Sequence, residues 1–145
     1  MTDAPRMLEP IGEEGGGVSA LVVCSTCRFS AEAREDGDGR RGGALLAEAL
    51  HIARANDERF AEVAVHEMPC LFACSRHCTV QLRAPGKVGY VLGDFVPGAE
   101  AAQALLEYAA HHAASEEGRV PYRDWPAGVK GHFIVRTPPE GYLCT

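Results

Sequence analysis

Residues 19–27 read SALVVCSTC, the most informative segment of the sequence. Its first five residues are small, apolar or β-branched, which is typical of a buried strand. Cys24 falls at the end of that strand, and Cys27 completes a C-x2-C pair. The stretch therefore predicts a central strand that brings two thiols to the edge of a sheet.

A second group of cysteines follows the next predicted strand. Residues 61–66 alternate between apolar and polar side chains, and Pro69 ends the pattern. Cys70, Cys74 and Cys78 then form a C-x3-C-x3-C series. On a helical turn, positions i, i+4 and i+8 would share one face, so the spacing itself favours a common site.

The two groups are expected to meet. In a β-α-β unit the two strands lie side by side and parallel, so the loops after them emerge at the same end of the sheet. Cys24 and Cys27 should then face Cys70 and Cys74. The residues after Cys78 look extended, which points that thiol elsewhere.

The remaining periodicities complete one α/β domain. A helix is indicated by apolar residues at helical spacing over 45–53, and it ends near Asn56. The order β-α-β followed by β-β-α is that of the thioredoxin-like fold, with a central sheet covered by helices. The other predicted elements are strands over 79–82, 88–92 and 132–135, a turn over 85–87 and a second helix over 102–113.

Domain boundaries follow from composition. Residues 1–17 hold two prolines, three consecutive glycines and mostly acidic charge, which predicts a disordered tail. Residues 18–116 form the predicted binding domain. Residues 117–145 are rich in proline and glycine and are expected to form an irregular extension packed on that domain.

Composition excludes several classes of protein. The 145 residues include 14 Lys+Arg and 20 Asp+Glu, a net charge of −6, which argues against nucleic-acid binding. No apolar run approaches the roughly 20 residues of a membrane-spanning helix, and residues 1–17 lack the pattern of a signal peptide. We therefore expect a cytoplasmic protein that binds no membrane, and no hydrolase or phosphoryl-transfer motif is visible.

In a reducing compartment, clustered cysteines most often bind a metal or perform thiol chemistry. Thiolates from two separated loops suit an iron–sulfur cluster, and four of them also suit tetrahedral zinc. A redox dithiol formed by Cys24 and Cys27 is the third possibility, although the glycine-rich residues 28–43 offer no helix start to activate it.

A specific resemblance is carried by the second group. The run Cys70-Leu71-Phe72-Ala73-Cys74, with the strand over 79–82 and the turn over 85–90, resembles the second ligand pair and hairpin of thioredoxin-like [2Fe-2S] ferredoxins, including the small ferredoxin subunit of respiratory complex I. The resemblance implies a [2Fe-2S] cluster held by Cys24, Cys27, Cys70 and Cys74. In those ferredoxins the first pair is spaced more widely than C-x2-C, so Cys78 is the alternative to Cys27.

Residues 19–114 also resemble a family of predicted metal-binding proteins whose bacterial members are often encoded beside cobalamin-biosynthesis genes. Together the resemblances imply a one-electron carrier, not an enzyme, that serves a redox partner protein. A cobalamin-pathway enzyme or reductase is the candidate partner, and pairing into a homodimer is known among such ferredoxins. The alternatives are a zinc- or cobalt-binding module and a thiol–disulfide oxidoreductase that uses Cys24 and Cys27.

Three further signals are interpreted more simply. Residues 70–93 contain no acid but include Arg76, Arg83 and Lys87, which predicts a basic patch near the cluster or a dock for an acidic partner. Residues 37–42 match G-x-G-x-x-G but lie far from the preceding strand, so a flexible loop is expected. His77 is expected to face solvent, and His111 and His112 to complement the dipole of the second helix.

Overall fold

The computed structural model describes residues 18–145, together with Leu8, Pro10 and Ile11. Apart from those three positions, the predicted tail over 1–17 lies outside the described residues. In the described part, five strands form one mixed sheet. The strands are β1 Ala20–Cys24, β2 Ala64–Met68, β3 Val80–Arg83, β4 Gly89–Leu92 and β5 Phe133–Thr137, and the α-helices are α1 Gly42–Ala55 and α2 Ala99–Ala114.

The sheet has the strand order β2-β1-β3-β4-β5. β1 runs parallel to β2 and antiparallel to β3, and the β3–β4 and β4–β5 pairs are also antiparallel. Cys24, the last residue of β1, is paired with Met68, the last residue of β2. The two cysteine-bearing loops therefore leave neighbouring strands at the same end of the sheet, as predicted.

One face of the sheet packs against both helices. Leu21 and Val23 of β1 belong to the core, and β1 is buried along its whole length, as the central strand of the sheet. Apolar side chains from α1 and α2 close the core over them. The fully buried members include Leu46, Leu50, Val80, Leu82, Leu92, Leu105, Leu106 and Tyr108.

The second strand begins later than the sequence predicts. The alternation over 61–66 starts in a turn that follows a short 3-10 helix, Glu58–Phe60. Asp57 caps that helix by accepting a hydrogen bond from the Arg59 N–H at 3.0 Å, and Phe60 and Val63 are buried in the core. The apolar residues before Ala64 therefore anchor a turn, and β2 extends instead to Met68.

The C-terminal extension contributes to the sheet. Within residues 117–145, β5 pairs with β4, and two short 3-10 helices, Tyr122–Asp124 and Ala127–Val129, precede it. Phe133 of β5 lies with its ring centroid 4.7 Å from that of Trp125 and 5.3 Å from that of Tyr108. The segment is thus more regular than its proline and glycine content suggests.

The end of α2 differs from the prediction. His112 is fully buried, with Nδ1 2.7 Å from Ser19 Oγ and Nε2 2.8 Å from the Val88 carbonyl oxygen. Burial lowers the pKa of His112 and so favours the neutral ring. Lys87 supplies the cation instead, since its Nζ donates to the carbonyls of His112 and Ala113 at 3.1 and 2.9 Å.

No helix in the described part of the chain is long and apolar enough to cross a membrane.

Candidate functional site

The first cysteine pair lies in a tight turn at the end of β1. The Cys27 N–H donates to the Cys24 carbonyl at 3.3 Å, which closes the turn. The Ser25 N–H and hydroxyl both donate to the Met68 carbonyl, at 2.9 and 3.1 Å. Thr26 adds a hydroxyl hydrogen bond to the Pro69 carbonyl. The turn is thereby fixed to the loop that carries the second pair.

Cys24 and Cys27 are both buried, and their environments differ. Burial raises the pKa of Cys24, but hydrogen bonds from Cys27 and from the backbone of Leu71 and Thr26 outweigh it and leave that pKa below its ordinary value. Burial raises the pKa of Cys27, and the Thr79 N–H, which donates to its sulfur at 3.4 Å, only partly opposes this. The pair therefore favours a thiolate on Cys24.

The second pair is more open. The Cys70 and Cys74 sulfurs lie 3.7 Å apart, and Cys74 is exposed. Between them Phe72 adopts a left-handed backbone with φ of 61°, and its N–H donates to the Cys70 sulfur at 3.3 Å. Hydrogen bonding and charge from Cys70 raise the pKa of Cys74. The loop thus holds two thiols side by side.

All four thiols line one cavity at the end of the sheet. Its volume is about 330 Å³, and Cys24, Cys27, Cys70 and Cys74 contribute to its wall. The sulfurs stand as two pairs, one from each loop. Across the described residues, no three His, Cys, Asp or Glu side chains already surround a single point as ligands of one ion.

Cys78 lies outside the cavity. Residues 70–78 form no helix, so the common face expected from i, i+4, i+8 spacing does not exist. Cys78 is fully buried, its sulfur is 4.0 Å from the Arg28 carbonyl oxygen, and its backbone is left-handed with φ of 51°. Burial raises its pKa to about 12. Its thiol belongs to the core and points away from the cavity.

Two glycines allow α1 to approach the first cysteine turn. A Cβ on Gly43 would lie 1.9 Å from the Cys24 carbonyl oxygen, and one on Gly42 would lie 2.5 Å from that of Arg28. The Gly43 N–H donates to the Cys27 carbonyl at 3.1 Å. Against the sequence argument, the positive end of a helix therefore does lie beside Cys24 and Cys27. The only sequence signal was a Gly-Gly pair placed at a helix start.

The charged residues that line the cavity are Arg28, Arg34, Arg41 and Arg76. Only Arg76 comes from the acid-free window over 70–93. Arg83 pairs with Ala20 at the opposite end of the sheet, and Lys87 caps α2. The predicted basic patch is therefore wrong in composition, because the loop over 28–43 supplies most of its cations.

His77 was predicted to face solvent, and the structure shows instead that it is mostly buried. Its Nδ1 lies 3.1 Å from the Phe95 carbonyl oxygen, and only 18% of its side chain is exposed. Its Nε2 lies 3.9 Å from Asp94, the residue that also forms an ion pair with Arg76. His77 thus connects the second cysteine loop to the loop after β4 and does not line the cavity.

Comparisons with known proteins agree with this architecture. A family model described as "Protein of unknown function (DUF1636)" matches residues 21–139. Among solved structures, a thioredoxin-like [2Fe-2S] ferredoxin from Aquifex aeolicus superposes with a TM-score of 0.52 at 17% sequence identity, over 88% of this chain and 100% of that one. No match was found among curated proteins. The predicted thioredoxin-like fold is therefore confirmed.

Proposed function

Because the chain belongs to the DUF1636 family and its fold brings two cysteine pairs to one cavity, we propose that it binds a [2Fe-2S] cluster and carries single electrons to a protein partner. One observation carries the proposal: sulfurs from two loops line a single cavity as two pairs. One pair per iron is the ligand arrangement that such a cluster needs. A single zinc ion instead needs four donors around one point.

The residues present fit the cluster. Cys24 and Cys27 would hold one iron, and Cys70 and Cys74 the other, whereas Cys78 is turned into the core. When bound, a cluster of this kind takes up one electron, with one of its two ferric ions becoming ferrous, and releases it again. The similar fold of the Aquifex aeolicus ferredoxin, whose described cofactor is a [2Fe-2S] cluster, supports the proposal.

The chain's own groups favour negative charge in the cavity. N–H groups of Phe72 and Thr79 donate to the Cys70 and Cys27 sulfurs. Hydrogen bonds to cluster sulfurs and nearby positive charge are among the features by which a protein sets reduction potential. The arginines along the wall and the start of α1 add positive charge, which favours an anionic cluster in the cavity.

The recipient of the electron is proposed by resemblance. A cobalamin-pathway enzyme or its reductase, acting in cobalt reduction or insertion, would be the partner, and the protein would act in the cytoplasm. These statements depend on the family resemblance, and homodimer formation is a prediction of the same kind.

A thiol–disulfide exchange function is the second candidate. The unequal pKa directions of Cys24 and Cys27, with the start of α1 beside them, favour it, because a nucleophilic thiolate with a protonated neighbour is what such enzymes use. Thiol–disulfide exchange by Cys24 and Cys27 gives no role to Cys70 and Cys74 in the same cavity, however, whereas a cluster would use both pairs as ligands.

The test is anaerobic purification followed by iron, acid-labile sulfide and zinc analysis with a visible spectrum. The proposal predicts a coloured protein with equal amounts of iron and sulfide. Stoichiometric zinc without sulfide would show the metal-binding module instead. A metal-free protein with a reducible disulfide between Cys24 and Cys27 would show the exchange function.

A further inference from the structure

We propose that the rim of the cysteine cavity is a docking surface for an acidic protein that accepts the electron. The surface consists of Arg28, Arg34, Arg41 and Arg76 together with the exposed ring of Phe72, and we call it the arginine rim. This inference rests on the proposed function and adds the chemical class of the partner to it.

The sign of the charge at the rim is opposite to that of the molecule. Acids outnumber Lys and Arg in the chain, 20 to 14, yet among the described residues every charged side chain that lines the cavity is an arginine. A uniform distribution would have placed acids there. Because opposite charges attract and like charges repel, the arginines favour a negatively charged partner at the cavity, where electrons would leave the cluster.

The guanidinium groups of the rim remain available to a partner. Among the described residues, Arg28, Arg34 and Arg41 form no ion pair. Arg41 donates to the Thr26 carbonyl at 3.2 Å, and Arg28 to the Ser30 carbonyl at 3.0 Å, which orients both while each keeps further N–H groups free. Arginine also pairs with carboxylates through two parallel hydrogen bonds.

One acid of the same loop, Asp36, is engaged within its own turn. Asp36 accepts from the backbone N–H groups of Asp38 and Arg40, both at 2.9 Å. Arg40 in turn forms an ion pair with Glu48 of α1 at 2.6 Å. Among the described residues, Asp94 is the one acid that forms an ion pair with an arginine of the rim, Arg76. Glu35 is the backbone bridge partner of Arg41, but it forms no ion pair with any arginine of the rim in the described part of the chain.

Phe72 favours a protein over a small anion as the occupant. Its side chain is 90% exposed at the tip of the loop between Cys70 and Cys74, held there by a left-handed backbone. A small anion gains nothing from an aromatic ring outside the cavity. Phenylalanine, the other aromatic residues and arginine are enriched in the buried centres of protein–protein interfaces.

The test uses reduced, cluster-loaded protein and two one-electron acceptors, a small acidic b-type cytochrome and a small basic cytochrome c, mixed by stopped flow at several NaCl concentrations. In each reaction one electron leaves the cluster and converts one ferric haem to ferrous. The arginine rim predicts that the acidic acceptor reacts faster at low salt and slows as salt rises. The net charge of −6 alone would predict the reverse.

Arg34→Glu and Arg83→Glu form a matched pair, because each changes the net charge equally and Arg83 lies at the far end of β3. We expect Arg34→Glu to slow the acidic acceptor about three- to tenfold at low salt, while Arg83→Glu leaves the rate within about twofold. Phe72→Ala should slow the acidic cytochrome more than it slows ferricyanide, a small anion, because any change that the substitution causes at the cluster acts on both reactions. Equal effects of the two arginine variants, or equal slowing of the acidic cytochrome and of ferricyanide by Phe72→Ala, would overturn the proposal.

A second measurement is independent of the cluster. In metal-free protein the exposed Cys74 thiol is treated with an anionic aromatic disulfide and with an uncharged one. The arginine rim predicts a preference for the anionic reagent that falls with salt and with Arg34→Glu but not with Arg83→Glu. If no cluster forms but this preference holds, the proposed function fails and the basic surface stands; if the preference is missing, the docking surface itself is refuted.

Discussion

Gly43 is the residue at which α1 and the first cysteine turn touch. The Cβ of any other residue there would overlap the Cys24 carbonyl oxygen at 1.9 Å. The nearest atoms are all backbone atoms of Cys24 and Ser25, so no flexible side chain can move aside to make room. The same contact carries the hydrogen bond from the Gly43 N–H to the Cys27 carbonyl. Any side chain at this position must therefore displace the turn that positions two candidate ligands.

We predict that Gly43→Ala lowers the free energy of unfolding by about 2 kcal/mol or more and impairs cluster uptake. Gly37→Ala is the control, because its Cβ meets nothing within 4 Å and its stability should change by less than about 0.5 kcal/mol. Urea unfolding of the metal-free proteins measures the first effect, and visible absorbance after reconstitution measures the second. Equal stability of the two variants would contradict the close approach.

Serine substitutions separate Cys27 from Cys78. Cys27→Ser should abolish or shift the visible spectrum, because its sulfur lines the cavity. Cys78→Ser should keep a normal spectrum but lower stability by about 1–3 kcal/mol, since it places a hydroxyl in the core without a partner at hydrogen-bond distance. A normal spectrum for Cys27→Ser with a lost spectrum for Cys78→Ser would reverse the ligand assignment.

At the scale of elements, α2 is joined to the sheet through His112. The ring spans from Ser19 before β1 to Val88 before β4, with Lys87 near the same helix end. Because burial lowers the pKa of His112, the fold favours its neutral form. Its contribution to stability is complete above the ordinary histidine pKa and is lost as pH falls through the lowered value in the folded state.

We therefore predict that the urea midpoint falls between pH 7.5 and pH 5.5, and that His112→Gln reduces this fall while lowering stability at pH 7.5. His111→Gln is the control, since His111 is exposed on the same helix turn. Measuring the midpoint of each variant at both pH values isolates the contribution of His112. An unchanged pH dependence in His112→Gln would show that other groups cause it.

The fifth strand is the element by which the C-terminal extension stabilises the domain. Phe133 packs edge-on against Tyr90 and Tyr108 and beside Trp125, with ring centroids 4.7–5.5 Å away. Phe133→Ala should cost about 3 kcal/mol of unfolding free energy. Val135→Ala, on the opposite face and 47% exposed, should cost less than about 1 kcal/mol. Comparable losses from both would mean that the aromatic cluster is not what holds β5.

The elements that sequence predicted well are those with strong periodicity. The helices α1 and α2 each bury one apolar face, so spacing alone indicated them, and β1 was indicated by an uninterrupted apolar run that is buried along its whole length. The alternation over 61–63 wrongly predicted a strand, because the buried Val63 lies in a turn that follows a short 3-10 helix. The role of residues 28–43 was predicted least well from the sequence. It depends on close backbone contact at Gly42 and Gly43 and on arginines that folding brings to the cavity. Neither feature has a periodic sequence pattern.

On the scale of the whole molecule, cysteines distant in sequence become neighbours because β1 and β2 are parallel. Because the two strands are parallel, their carboxyl ends lie at the same edge of the sheet. Topology alone therefore predicted which cysteine pairs would face each other. It could not show that Cys78 turns inward, which depends on the left-handed backbone at that residue. Folding also brings four of the 14 Lys and Arg residues to the cysteine cavity, although the chain as a whole is acidic.

The central claim is that two thiol pairs hold a centre that stores a single electron. The most direct measurement is a reductive titration of anaerobically prepared protein, followed by electron paramagnetic resonance at low temperature. We predict uptake of one electron per chain and a spin-half signal of matching intensity, as a reduced [2Fe-2S] centre gives. Protein that takes up no electron beyond reduction of a disulfide, and shows no such signal, would contradict the account.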